Sequence, residues 1–70
     1  MAHMSLAYLI GRRIREVRTA RGMSQVDLAI SSGLSANYVS EIERGGRDMK
    51  VSTISRIARV LRVPPNRLIP

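Results

Sequence analysis

The sequence contains no cysteine, no phenylalanine and no tryptophan, and its single histidine is His3. Without thiols the chain can form no disulfide and carry out no thiol chemistry, which fits a cytoplasmic protein. With so few nitrogen and sulfur ligands, no metal site is expected. The apolar runs are only a few residues long, so no segment can span a bilayer, and nothing resembles a secretory signal.

Groups that could carry out catalysis are also scarce. The five acidic residues are scattered over different predicted helix faces, and no nucleophile–base pair is evident. Gly45 and Gly46 follow a helix rather than a strand, so they do not form a phosphate-binding loop. We therefore expect a binding protein and not an enzyme, with no catalytic residues, no cofactor and no small-molecule ligand.

Positive charge dominates the composition. The chain has twelve Lys and Arg residues and five Asp and Glu residues, which gives a net charge of +7. Hydrophobic residues make up 44% of the sequence. Seventy residues allow one small domain with an aliphatic core. We interpret residues 1–4 as a cloning remnant and residues 5–70 as the domain. The charge indicates a polyanionic partner, either nucleic acid or a membrane surface. The membrane alternative is weaker because the apolar stripes match a helical core.

Residues 24–45 predict two short helices joined by a tight turn. Ser24 is a good N-cap for the first helix, and Gly33 can end it in a left-handed conformation. The second helix is predicted over 35–44, with Ser35 as its cap and Gly45 after its end.

The second of these helices has one polar face and one apolar face. At 100° per residue, Val39 and Ile42 fall together on the apolar side. The opposite side carries four polar residues with two flanking ones: Asn37, Ser40, Glu41 and Arg44, flanked by Ala36 and Tyr38. An ordinary solvated face is one interpretation. The spacing of the two helices and the surrounding positive charge favour a face that binds nucleic acid.

This stretch resembles a known family. The run Gln25-x-x-Leu28-Ala29-x-x-x-Gly33-Leu34-Ser35, followed by Tyr38-Val39-Ser40-x-Ile42-Glu43-x-Gly45, is similar to the helix-turn-helix of the phage Cro and repressor family and of bacterial xenobiotic-response-element-type regulators. The resemblance implies an all-α, compact five-helix domain of the lambda-repressor type. It also implies a cytoplasmic transcriptional regulator, such as a repressor, that binds double-stranded DNA as a homodimer.

Roles for the polar face follow from side-chain chemistry. Asn37 can pair with adenine, Glu41 can accept from cytosine, and Ala36 can meet a thymine methyl group. The full set of predicted base contacts is Ser35, Ala36, Asn37, Ser40 and Glu41.

Other residues are predicted to contact phosphates. By resemblance, Gln25 holds a phosphate and braces the second helix, while Arg44 and Arg47 are expected to contact phosphates or to reach an adjacent groove. For Tyr38, a phosphate hydrogen bond and simple packing are both open. Three arginines of the first helix are expected only to steer and solubilise: Arg12, Arg13 and Arg15.

Three further helices are expected outside the motif. The first covers 5–21, with an apolar stripe of Leu6, Ile10, Ile14 and Val17. The next covers 51–62, with Asp48 the best available acceptor for its cap, and a last short helix covers 66–69 after Pro65. The loop 47–50 resembles that of restriction–modification controller proteins.

Arg18 lies only about 40° from the centre of the first helix's apolar face. A charge so close to a core needs a partner, and Glu43 sits at the inner edge of its own helix. In the family, the matching Arg and Glu form a salt bridge, and the resemblance implies one here. The alternative is two snorkelling surface charges.

A single helix of about ten residues is roughly 15 Å long and spans only a few base pairs. Two half-sites about 34 Å apart, arranged as an inverted repeat and bound by a homodimer, would supply more specificity. Four apolar residues near the C-terminus are predicted to form the dimer interface: Leu61, Val63, Leu68 and Ile69. The alternative from another class is a protein-interaction module, such as a toxin-neutralising antitoxin.

Overall fold

The computed structural model describes residues 5–70, which form four α-helices and one turn of 3-10 helix. Residues 1–4, interpreted above as a cloning remnant, lie outside the described residues. The helices are α1 (Leu6–Ala20), α2 (Gln25–Ser32), α3 (Ala36–Glu43) and α4 (Val51–Leu61), and the 3-10 turn is Pro65–Arg67. Residues 5–70 contain no strand, so the predicted all-α fold is confirmed.

The predicted fifth helix is wrong in type and position. Pro64 is the N-cap and Pro65 opens the turn, positions whose amides would have no partner within a helix, so the two prolines are compatible with either type of helix. The chain closes with shorter-range bonds, from the Arg67 amide to the Pro64 carbonyl at 2.9 Å and from the Leu68 amide to the Pro65 carbonyl at 3.0 Å. Such bonds define a 3-10 turn.

Local sequence determines where most helices begin and end. The Ser24 hydroxyl accepts from the Asp27 amide, and the Asp27 carboxylate accepts from the Ser24 amide, each at 2.9 Å. This capping box starts α2, and Gly33 ends it with φ 69°. The predicted cap of α4 by Asp48 is wrong. Lys50 occupies the N-cap position and gives no side-chain hydrogen bond.

The core is aliphatic and draws on all four α-helices and on Leu68, which follows the 3-10 turn. It contains Ile10, Ile14, Leu28, Ala29, Val39, Ile42, Ile54, Ile57, Ala58, Leu61 and Leu68. Leu6 was predicted to belong to it and does not, since it is 57% exposed in the first turn of α1. No helix in the described part of the chain is long and apolar enough to cross a membrane.

Two glycines let the backbone at the end of α3 lie directly on α1. A Cβ on Gly11 of α1 would sit 2.2 Å from the Ile42 carbonyl oxygen. A Cβ on Gly45 would sit 2.7 Å from the Tyr8 Cα, and Gly45 also has φ 76°. No larger residue fits at either position, so the C-terminal end of α3 is held against α1 by backbone contact.

Candidate nucleic-acid interface

The outward face of α3 presents polar side chains on a rigid support. Val39 and Ile42 are buried beneath it, while Ala36 and Asn37 are exposed and Ser40 and Glu41 are half-buried. α3 packs against both α1 and α2, so its outer face is the one left to a partner.

Ser35, predicted to contact a base, first of all caps α3. Its hydroxyl oxygen accepts from the Tyr38 amide at 3.0 Å. This bond satisfies one of the free amide donors at the start of the helix and leaves the Ser35 hydroxyl proton available.

Arg47 lies over the face of α3 rather than away from it in the loop. Its Nε donates to Glu41 Oε2 at 3.2 Å, and its guanidinium carbon is 5.2 Å from the centre of the Tyr38 ring. The Glu41 and Arg47 side chains are 38% and 55% exposed, so this ion pair is only weakly stabilising. Tyr38 is half-buried and packs against the core. Two predicted DNA contacts, Glu41 and Arg47, are therefore already engaged with each other in the free protein.

A buried ion pair joins α1 to α3. Arg18 Nε donates to Glu43 Oε2, and Arg18 Nη2 donates to Glu43 Oε1 at 2.9 Å. The side chains are 9% and 3% exposed, so the alternative of two surface charges is wrong. The hydrogen bonds to Glu43 raise the pKa of Arg18 and offset the cost of its burial.

Two further groups complete this network. Arg18 Nη1 donates to the Met23 carbonyl at 2.7 Å, and Gln25 Nε2 donates to Glu43 Oε1 at 3.1 Å. Gln25, at the start of α2, thereby braces α3 through Glu43, while its side-chain carbonyl oxygen still has acceptor capacity. The network fixes α1, α2 and α3 in one geometry. Sequence reasoning missed Met23, because a backbone carbonyl leaves no side-chain signal.

A groove of about 550 Å³ lies between α1 and the C-terminal end of α3. Its lining is rich in arginine: Tyr8, Arg12, Arg15, Glu16, Thr19, Glu43 and Arg44. Arg12 Nη1 donates to the Tyr8 hydroxyl oxygen at 3.2 Å, and this bond raises the pKa of Arg12. Four of these residues, Tyr8, Arg12, Arg15 and Thr19, are three or four positions apart along α1 and so share one helix face. This spacing is the sequence signal from which the face could have been predicted.

The predicted dimer interface needs correction. Leu61 and Leu68 are fully buried in the chain's own core, because the 3-10 turn folds back on α4. They cannot present their side chains to a second copy. Val63 is half-buried and Ile69 is 36% exposed, so these two remain available.

The chain is similar to helix-turn-helix regulators over most of its length. The family model described as "Helix-turn-helix" matches residues 14–68. The control protein C.BamHI of Bacillus amyloliquefaciens is 35% identical over 66 residues, which cover 93% of this chain and 82% of that protein. The immunity repressor protein of Bacillus phage phi105 is 32% identical over 60 residues, 86% of this chain and 42% of that protein.

Solved structures show the same fold. The restriction–modification controller protein C.AhdI from Aeromonas hydrophila matches with TM-score 0.87 and 41% identity, covering 90% of this chain and 96% of that one. The biofilm master regulator SinR, solved in complex with DNA, matches with TM-score 0.80 and 32% identity, covering 84% and 95%. The predicted resemblance to repressors and controllers is confirmed. These relatives are regulators, not enzymes.

Proposed function

The chain belongs to the Cro/C1-type helix-turn-helix family of DNA-binding transcriptional regulators, and from that premise we propose that it acts as a homodimer on an inverted-repeat operator. In this proposal α3 is the recognition helix and enters the major groove, whose width admits one helix. In this proposal the protein acts in the cytoplasm.

One observation carries the proposal: the outward face of α3 is polar, accessible and rigidly supported. Asn37 is exposed near the start of the helix, where it can donate to and accept from an adenine edge. Ser35, Ala36, Ser40 and Glu41 lie on or beside the same face and are the other base contacts that we propose. The buried pair of Arg18 and Glu43 holds this face in position.

Phosphate contacts surround the reading face. Gln25 stands at the N-terminus of α2, where backbone amides also favour an anion. Arg44 is exposed at the C-cap of α3, and Arg47 can turn from Glu41 toward a phosphate. In the free protein the Arg47 guanidinium lies over the Tyr38 ring. The Tyr38 hydroxyl can reach a phosphate once Arg47 moves away. These contacts set the position of α3, whereas the base contacts set the sequence preference.

Dimerisation follows from the size of the reading unit. α3 has eight residues, about 12 Å of helix, and therefore reaches only a few base pairs. Two copies related by a two-fold axis double the number of base pairs read. Val63 and Ile69 form the accessible apolar part of the proposed interface.

Selection from a random duplex pool tests the proposal. We expect the recovered sites to be inverted repeats, and we expect sedimentation of the complex to give two chains per site. Ile69→Glu should weaken dimer formation while leaving the fold intact, whereas Leu68→Ala should instead lower stability by about 2–5 kcal/mol. Recovery of no preferred sequence would contradict the proposal and would favour a protein-interaction module.

A further inference from the structure

The groove between α1 and the end of α3 is a second cationic surface continuous with the recognition helix. Arg12 and Arg15 of α1 are exposed along it, and Arg44 at the C-cap of α3 closes it. Gly11 and Gly45 allow the close packing that brings α1 beside α3. Whatever lies along the C-terminal end of α3 therefore also meets this face of α1.

The positive charge of the groove is not neutralised by the acidic residues that line it. Glu43 is one of its two acids, and Arg18 already neutralises Glu43. Glu16 is the other acid, against three arginines. Across residues 5–70, neither Arg15 nor Arg44 forms an ion pair. The groove thus keeps a net positive charge to which an anion can bind.

One of the arginines is held in place before any partner arrives. The Tyr8 hydroxyl oxygen accepts from Arg12 Nη1 at 3.2 Å, and the Arg12 guanidinium carbon is 5.9 Å from the centre of the Tyr8 ring. Within the described residues the Tyr8 hydroxyl donates no hydrogen bond, so its proton is also free for an acceptor. Less side-chain freedom is lost when a held arginine binds an anion.

The spacing along α1 suits a nucleic-acid strand. Arg12 and Arg15 are three residues apart, which is about 4.5 Å along the helix axis. Phosphates on one strand of DNA repeat about every 3.4 Å along the duplex axis. Phosphates on a wound strand lie further apart in space than this rise, and the length of two arginine side chains can span the difference, so two neighbouring phosphates are within reach of one helix.

We propose that this groove binds the DNA phosphate backbone next to the recognition helix, so that Arg12, Arg15 and Tyr8 extend the contact beyond the base pairs that α3 reads. This inference rests on the proposed function. It also separates Arg12 and Arg15 from Arg13. The Arg13 side chain lies about 100° around α1 from Arg12 and about 160° from Arg15, and it donates to the Arg67 carbonyl at 3.3 Å. The steering role expected for all three then holds for Arg13 alone.

The test compares Arg15→Gln with the matched control Arg13→Gln, since both remove one exposed charge from α1. Affinity is measured on two duplexes, one limited to the operator and one extended by about ten base pairs on each side, between 50 and 200 mM salt. One phosphate contact contributes about 0.9 to the salt slope, or about a 3.5-fold loss of affinity over this range. We expect Arg15→Gln to lower the slope by about one unit per protomer and to reduce the gain from the extended duplex.

Arg13→Gln, the control, should keep a salt slope close to that of the wild type. Its gain in affinity from the extended duplex should also be unchanged. Circular dichroism of both variants checks that the fold is unchanged. Equal effects of Arg15→Gln and Arg13→Gln, with sequence-specific binding intact, would overturn this inference and leave the proposed function standing. Failure of the wild-type protein to bind any duplex would overturn both.

Discussion

Arg47 and Glu41 form an ion pair across the face of α3 that would have to meet DNA. The two side chains approach to 3.2 Å, and Arg47 covers the Tyr38 ring. A carboxylate on this surface repels phosphates, and it also holds back an arginine that could bind one. In the proposed complex, Glu41 therefore favours the correct base at the expense of general affinity.

Replacing Glu41 with Gln should separate these two effects. The variant frees Arg47 and removes one negative charge, so its affinity for random duplex should rise about threefold to tenfold at 0.1 M salt. On the selected operator, the Gln amide keeps only a weaker, uncharged acceptor for cytosine and adds a donor that cytosine cannot satisfy, so the variant should lose up to about 1–3 kcal/mol at one position. Fluorescence titration on both duplexes measures the ratio of operator affinity to random-duplex affinity for each protein. Unchanged affinity for random DNA would show that the carboxylate plays no such part.

Breaking the pair of Arg18 and Glu43 should be strongly destabilising. Glu43→Ala leaves a buried guanidinium without its carboxylate and removes the partner of Gln25. We expect a loss of about 3 kcal/mol or more in the free energy of unfolding, measured with urea. Glu16→Ala, at an exposed position of α1, serves as the control and should change little. A loss below about 1 kcal/mol for Glu43→Ala would mean that the network does not hold the helices together.

Base contacts and phosphate contacts should respond differently to mutation. Asn37→Ala should cost about 1–3 kcal/mol on the preferred site and little on random duplex. Arg47→Ala should weaken binding to both duplexes and lower the salt slope by about one unit. Titrations at several salt concentrations distinguish the two. An equal loss on both duplexes for Asn37→Ala would show that this face does not read sequence.

The capping box of α2 should make stability depend on pH. The hydrogen bond from the Ser24 amide lowers the pKa of Asp27 in the folded state. Its contribution is therefore complete above the pKa of the unfolded chain and is lost as the pH falls through the lower folded value. Asp27→Asn should be less stable than the wild type at neutral pH, and the difference should narrow in acid. Thermal melts across this range measure it, and a pH-independent difference would contradict the assignment.

Features set by neighbouring residues were predictable, whereas those set by distant packing were not. Ser24, Asp27 and Gly33 define α2 through local bonds, so the sequence is enough to place its ends. Arg18 could be paired with Glu43 because each lies at the inner edge of a regular helix. Leu68 was misplaced because an apolar residue looks the same whether its own core or a partner covers it.

Within the candidate site, the side-chain position of the loop residue Arg47 was harder to predict. Its backbone position does not determine whether a long side chain extends into solvent or lies across α3. The structure selects the second arrangement through Glu41 and Tyr38, two residues from a different segment. Long flexible side chains in loops are where prediction from sequence is weakest.

The contact of Gly11 with the Ile42 carbonyl has a consequence for the operator. Backbone lies on backbone at this point, with no side chain between α1 and α3 that could repack. In the proposed complex, α3 cannot tilt independently of α1 to suit a groove of slightly different width or curvature. The adjustment must then be made by the duplex, at an elastic cost that depends on its own sequence. Flexible pyrimidine–purine steps between the half-sites should improve binding even though no side chain touches them.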